Sequence, residues 1–150
     1  QGKIVVNERL NRILFCSSKF SYFEIFQLFD GDLQSIKKEY RGKYKYDISN
    51  DENFVYAHPF EDNIEGFIDA CSTDEYIYIL YSGRSIEDPA INTHEQACLS
   101  NQILVYDWDG NPIVKYTSDI DLKYICVNDN GKIIYSIAYD PDPVLVYFYL

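Results

Sequence analysis

The sequence predicts an all-β chain made of antiparallel four-stranded blades of a β-propeller, about three of them, roughly half of a closed ring. Three observations carry this. Aromatic residues crowd the chain, with 15 Tyr and 9 Phe in 150 residues, and such side chains favour pleated, half-buried surfaces. No stretch sustains a 3.6-residue apolar period, so helix is limited to a single turn at Thr93 to Cys98. Above all, strand–turn–strand units recur, and recurrence at a fixed spacing marks a repeat architecture.

The repeats can be followed in order. Phe29-Asp30-Gly31-Asp32 follows the apolar run Tyr22 to Leu28, and Trp108-Asp109-Gly110-Asn111 follows Ile103 to Tyr106. An Asp-Gly pair between two strand-like runs predicts a type I′ hairpin, which needs positive φ at both central residues. A second unit runs from Phe67 to Cys71 through Ser72-Thr73-Asp74 into Tyr76 to Tyr81. It is matched by Tyr124 to Val127, Asn128-Asp129-Asn130-Gly131 and Lys132 to Tyr139, with Lys3 to Asn7 and Asn11 to Ser17 as a looser copy.

Strung together, these give one domain over 1–150 with blades at approximately 3–41, 64–118 and 119–150. The first holds Lys3–Asn7, Arg12–Ser17, Tyr22–Leu28 and Leu33–Tyr40; the second holds Gly66–Cys71, Tyr76–Ser82, Gln102–Asp107 and Pro112–Thr117. The third stops after three strands, with Val144 to Tyr147 aligning on Ile103 to Tyr106, so its outer strand has to come from elsewhere. Gly42 to Glu65 interrupts the pattern as a connecting excursion with a short strand at Phe54-Val55-Tyr56. Gly83 to Asn101 is a long polar loop inside the second blade, and such loops are functional or disordered.

Bulk properties exclude several partners. The 13 basic and 24 acidic residues leave a net charge of −11, which excludes nucleic acid and anionic membrane as main partners. The one basic cluster, Lys37, Lys38, Arg41, Lys43 and Lys45, is diluted by Glu39 and by tyrosines and reads as solvated strand and loop. The longest apolar stretch, Val144 to Leu150, is far short of the ~20 residues of a spanning helix, so no direct membrane insertion of this segment is expected. Cys16, Cys71, Cys98 and Cys126 form no C-x-x-C pair, and a core of this size does not need disulfides, so their redox state stays open. The chain has no methionine, and Gln1-Gly2 looks like the remnant of a removed tag, which would make Lys3 the first native residue.

Candidate sites are few. Asp107-Trp108-Asp109-Gly110-Asn111 superficially suggests a calcium loop, but the twelfth position is Ser118 where a bidentate Glu is needed. Asp140-Pro141-Asp142-Pro143 is acidic and rigid, yet a hard cation needs several convergent carboxylates. His94 and Cys98 suggest a catalytic pair by their spacing, but no orienting group or oxyanion hole accompanies them. No catalytic residue, metal site or cofactor is therefore assigned. Ligand contact falls to Arg84, Glu87 and His94 on the long loop, with a structural ion pair as the competing role for Arg84. Tyr76, Tyr78 and Tyr81 read as packing between blades.

Tyr78 to Arg84 and Asn101 to Pro112, with Ile134 to Ile137, Asp140-Pro141 and Val146 to Leu150, give the chain a family likeness. It resembles the TolB-like six-bladed propellers of Bacteroides-type bacteria, best over Gly66 to Leu150. The resemblance implies a six-bladed ring and a place in the cell envelope, periplasmic or as an outer-membrane lipoprotein, with no established reaction. The chain departs from it in length, since three blades of such a ring are absent. The reading is thus a non-enzymatic binding or scaffold propeller, completed by the missing half or by a second copy, with a protein or glycan as its ligand. The alternative is a metal-dependent hydrolase or lactonase on a six-bladed ring. Its candidate ligands, Asp69, Asp121 and Asn128, are few and scattered.

Overall fold

The computed structural model describes residues 2–42, 44–60, 62–139 and 141–150. Gln1, Lys43 of the basic cluster and Asp140 of the Asp-Pro segment lie outside the described residues. Among the described residues, twelve strands and one short helix follow in chain order. Strands β1 (Gly2–Asn7), β2 (Arg12–Ser17), β3 (Tyr22–Phe29) and β4 (Asp32–Tyr40) form a four-stranded antiparallel meander. Among the described residues, strands β5 (Tyr46–Asn50) and β6 (Val55–Pro59) form a two-stranded sheet of their own. A six-stranded sheet follows in the order β12-β11-β10-β9-β8-β7. Its members are β7 (Phe67–Ser72), β8 (Tyr76–Tyr81), β9 (Ser100–Asp107), β10 (Pro112–Val127), β11 (Ile133–Tyr139) and β12 (Pro143–Tyr149), with helix α1 (His94–Ala97) between β8 and β9. This is the expected all-β class: discrete antiparallel sheets in a curled, unclosed array, a partial propeller of a few blades.

Alternation along the strands explains the layering. In β2 and β3, Leu14, Cys16, Phe23 and Ile25 all face one way and are fully buried. They pack on Phe67, Ala70, Ile77, Ile79, Leu104, Tyr106 and Trp108 of the six-stranded sheet. The other face of β8 and β9, with Tyr78, Leu80, Ile103 and Val105, packs on Leu122, Ile125, Val127, Ile134 and Ala138. Two apolar cores thus alternate with the sheets. The two outermost faces stay open: Ile4 and Val6 on one side, and Tyr124, Tyr135, Leu145 and Tyr147 on the other, are all exposed.

Three local expectations needed correction. The first Asp-Gly turn has positive φ at both Asp30 (49°) and Gly31 (87°), as a type I′ hairpin requires. In the second, only Gly110 (80°) is positive. There the loop is longer: the Asp107 carboxylate accepts from the backbone of Asp109 and Asn111, and Trp108 turns inward. Its indole is 2% exposed and donates to the Thr73 carbonyl at 3.1 Å, so burial of one large side chain overrides the two-residue turn. Next, the strands expected at Pro112–Thr117 and from Asp121 are one continuous β10. Nothing between them breaks a strand, and Ser118 Oγ satisfies Ile120 locally where the register shifts. The excursion 42–65 holds a hairpin rather than a single strand.

Between the two sheets, Gly66 approaches the β2–β3 turn, its N–H donating to the Ser18 carbonyl at 2.7 Å. A Cβ here would lie 2.4 Å from Ser21 Cα and 2.8 Å from Ser18 O, both backbone atoms that cannot swing aside. Gly66→Ala is therefore expected to lower the unfolding free energy by about 1–3 kcal/mol, as overpacking of a close contact does, measurable as an earlier urea midpoint at constant slope.

Candidate functional site

Three strands lie side by side at the centre of the curl: β1, β7 and the second half of β10. Asp69 on β7 joins them. Its carboxylate, buried with 6% side-chain exposure, takes the Lys3 ammonium of β1 at 2.9 Å on one oxygen. The other oxygen accepts the Ile125 N–H of β10 at 3.0 Å. Above this link opens a cavity of about 490 Å³ whose wall includes Lys3, Asp69, His94, Cys98, Lys123 and Tyr124. Its cations are already paired, Lys3 with Asp69 and Lys123 with Glu95 at 2.8 Å. The hydrogen bond to Asp69 pushes the Lys3 ammonium up from its ordinary value, and the bond to Glu95 does the same for Lys123.

The long loop reaches this cavity in an ordered way. Glu65 donates its N–H to the Arg84 carbonyl at 2.7 Å, and Gly83 donates back to Glu65 at 2.8 Å. Ser82 Oγ donates to the Ala97 carbonyl at 2.5 Å, and Ala97 and Leu99 are buried. Thr93 caps α1 by accepting the Gln96 N–H. The loop is a packed strap across the end of the sheet.

The candidate ligand residues are not brought together. Arg84 is engaged twice by Asp121, at 2.9 and 2.5 Å, and also donates to the Gln96 carbonyl at 3.3 Å. Those bonds raise the guanidinium further above its ordinary value and tie the strap to β10. Glu87 lies exposed in the turn that follows Ser85. His94 stands at the cavity wall, with Nε2 3.1 Å from Glu65 Oε1 and 2.9 Å from Lys19 Nζ, and Nδ1 3.8 Å from Cys98 Sγ. Lys19 also bonds Glu65 Oε1 closely. Sequence reasoning missed Glu65, Lys19, Lys123 and Tyr124. They come from three separate parts of the chain, Lys123 and Tyr124 being neighbours, and no motif links them.

The residues suggested for a hydrolytic metal are likewise dispersed. Asp69 holds Lys3 and Ile125, Asp121 holds Arg84, and Asn128 Oδ1 accepts from Lys132 and Ile133 within its own turn. Three members of the basic cluster are also committed: Lys38 pairs with Glu24, Lys45 with Asp62, and Arg41 with Glu39 and the buried Tyr106 hydroxyl. Arg41 also lies over the Tyr81 ring at 5.3 Å, so Tyr81 does pack between sheets. No helix is long and apolar enough to cross a membrane among the described residues.

All four cysteines are free thiols. Burial pushes Cys16 and Cys71 up from 9.0 to about 12. Between those values the folded chain keeps protons that the unfolded chain releases, so stability falls as pH rises. Lys3 adds the same sign above its ordinary 10.5. The chain should therefore unfold at progressively lower urea from about pH 9 upward, and Cys71→Ala should flatten that dependence in melts at successive pH values.

Comparison with curated proteins finds no match. The family model described as TolB-like 6-blade propeller-like matches residues 7–130, which takes in β2 through β10 and the whole strap. A match of that extent supports a binding or scaffold role in place of catalysis, in keeping with the separate structural duties of Asp69, Asp121 and Asn128. The chain belongs to the TolB-like 6-blade propeller-like family.

Proposed function

We propose that this chain is part of a six-bladed ring, with blades near 3–41, 64–118 and 119–150, that serves as a binding scaffold in the cell envelope of a Bacteroides-type bacterium. The periplasm or an outer-membrane lipoprotein suits that role. The observation that carries the reading is the cavity over the Asp69 link, at the end of three adjacent inner strands, walled by paired polar groups and bordered by an ordered strap. Paired charges hold their donors in place before a ligand arrives, which favours recognition of polar groups such as those of a glycan or a peptide backbone. Tyr124, exposed at the wall, offers an apolar ring face for stacking.

The three loop residues enter this proposal unequally. His94 contacts ligand at the cavity wall. Glu87, exposed on the strap, contacts a larger partner at the rim. Arg84 contributes its remaining N–H groups while it holds the strap on Asp121. The test is calorimetric titration of the chain with a panel of neutral and acidic oligosaccharides and short peptides. A binder should lose about tenfold or more in affinity on Tyr124→Ala, a typical loss for a stacked aromatic contact. Failure of the whole panel, or binding indifferent to both Tyr124→Ala and His94→Ala, removes the cavity as the site.

The open apolar faces fit a completing half-ring, from further chain or from a second copy. For the second copy, light scattering at micromolar concentration should give twice the 17.6 kDa chain mass. A strictly monomeric mass leaves the completing half to other chain segments.

A further inference from the structure

We infer that Glu65, His94 and Cys98 form a binding site for a divalent ion of the zinc class, which enters by displacing the ammonium of Lys19. This goes beyond the scaffold reading and does not depend on it, because all three ligands lie within this chain and none needs a closed ring.

The geometry comes first. One ligand atom from each of the three residues lies within 4.8 Å of the others. A tetrahedral shell with Zn–N and Zn–O near 2.0 Å and Zn–S near 2.3 Å sets its ligand atoms about 3.3–3.5 Å apart. Contraction to that size needs small side-chain rotations only. His94 and Cys98 sit one helical turn apart, the Cys98 N–H donating to the His94 carbonyl at 3.1 Å, so both side chains leave the same face of α1. Glu65 Oε1 is 3.1 Å from one imidazole nitrogen and Cys98 Sγ 3.8 Å from the other, so the ring turns about χ2 to give one nitrogen to the ion.

A second observation points to a missing ligand. The Glu65 side chain is only 10% exposed, and its Oε2 is buried with no hydrogen-bond partner. An unsatisfied buried carboxylate oxygen is costly, and a metal ion held by both oxygens of the carboxylate would satisfy it. A cation already occupies the spot: Lys19 Nζ rests on Glu65 Oε1 and on His94 Nε2. Its side chain is one-third exposed, so it can swing out to water.

The exchange balances in charge. Before it, the site holds one carboxylate, one ammonium, a neutral imidazole and a thiol. After it, the ion of charge +2 is bound by the carboxylate, the imidazole and a thiolate, the ammonium is solvated, and one proton has left Cys98 for solvent. The donor set of one N, one S and one O excludes calcium and magnesium, which take oxygen shells, and fits the borderline-soft ions. Three protein ligands leave a fourth position for water. The bound ion would fasten the strap to the segment leading into β7.

The experiment uses the full chain, reduced and stripped of metal by a chelator, titrated with Co2+ alone and then with Zn2+. One equivalent of Co2+ should raise a thiolate-to-cobalt absorption in the near ultraviolet, which Zn2+ then abolishes. Cys98→Ala should remove that absorption and weaken zinc by more than about 100-fold, and Glu65→Gln should weaken it by about tenfold or more, since even loss of an outer-shell partner costs 10–100-fold. Lys19→Met should tighten binding, and Cys126→Ala should leave it unchanged. Circular dichroism shows whether each variant is folded, and if Cys98→Ala is not, Glu65→Gln decides. No thiolate absorption at one equivalent, its survival in folded Cys98→Ala, or zinc binding unaltered by Glu65→Gln overturns the site. Unaltered affinity in Lys19→Met overturns the displacement.

Discussion

One buried carboxylate organises the centre of the molecule. Asp69 sits on β7, which forms no backbone ladder with β1 of the four-stranded sheet or with β10 of its own sheet, and it reaches both neighbours with its two oxygens. Apolar packing alone holds sheets face to face but leaves them free to slide, because burial of surface carries no direction. A carboxylate fixed by a cation on one side and a backbone N–H on the other supplies the direction. Removing either partner would leave charge unsatisfied in a low-dielectric site, so sliding is penalised. The registers of β1 and β10 against β7 therefore depend on this group, and the cavity depends on those registers.

The strap follows from the same arrangement. Its residues are polar and carry few apolar anchors, Ala97 and Leu99 being the buried ones. Order comes from the backbone bonds around Glu65 and Gly83, the Ser82 bond to Ala97 and the Arg84–Asp121 pair. Arg84–Asp121 and Lys123–Glu95 both end on β10, the strand whose Ile125 N–H closes the Asp69 link. The strap is held by the strand whose position Asp69 fixes, so cavity wall and cavity floor move together.

Much of the fold was legible in the sequence because blade formation is local. Alternating apolar residues and a turn signal lie within one hairpin, as with Tyr22 to Leu28, Asp30-Gly31 and the strand after it. The failures came where a distant contact decided the outcome. Trp108 converts an Asp-Gly turn into a longer loop because its indole is wanted by Thr73, across the sheet interface. In β10, the absence of any breaker let one strand serve two partners, which no single-hairpin pattern reveals. The candidate site was legible only where spacing is helical, in His94 and Cys98. Glu65 and Lys19 are separated from His94 by 29 and 75 positions and meet it only through the fold. Arg84 drew attention by its place after Gly83, yet its partner Asp121 lies 37 positions away.

The distribution of charge bears on what such a molecule can do. Acid chemistry in a cleft usually needs carboxylates close to one another, so that one is forced to keep its proton. Here Asp69, Asp121, Glu65 and Glu95 are each held by a separate cation: Lys3, Arg84, Lys19 and Lys123. This pairing fixes side-chain rotamers before any partner arrives, which lowers the entropy cost of association. An arrangement of separate ion pairs around a cavity is suited to holding a fixed polar surface, and that preference joins the geometry of the curl to the binding role of the family.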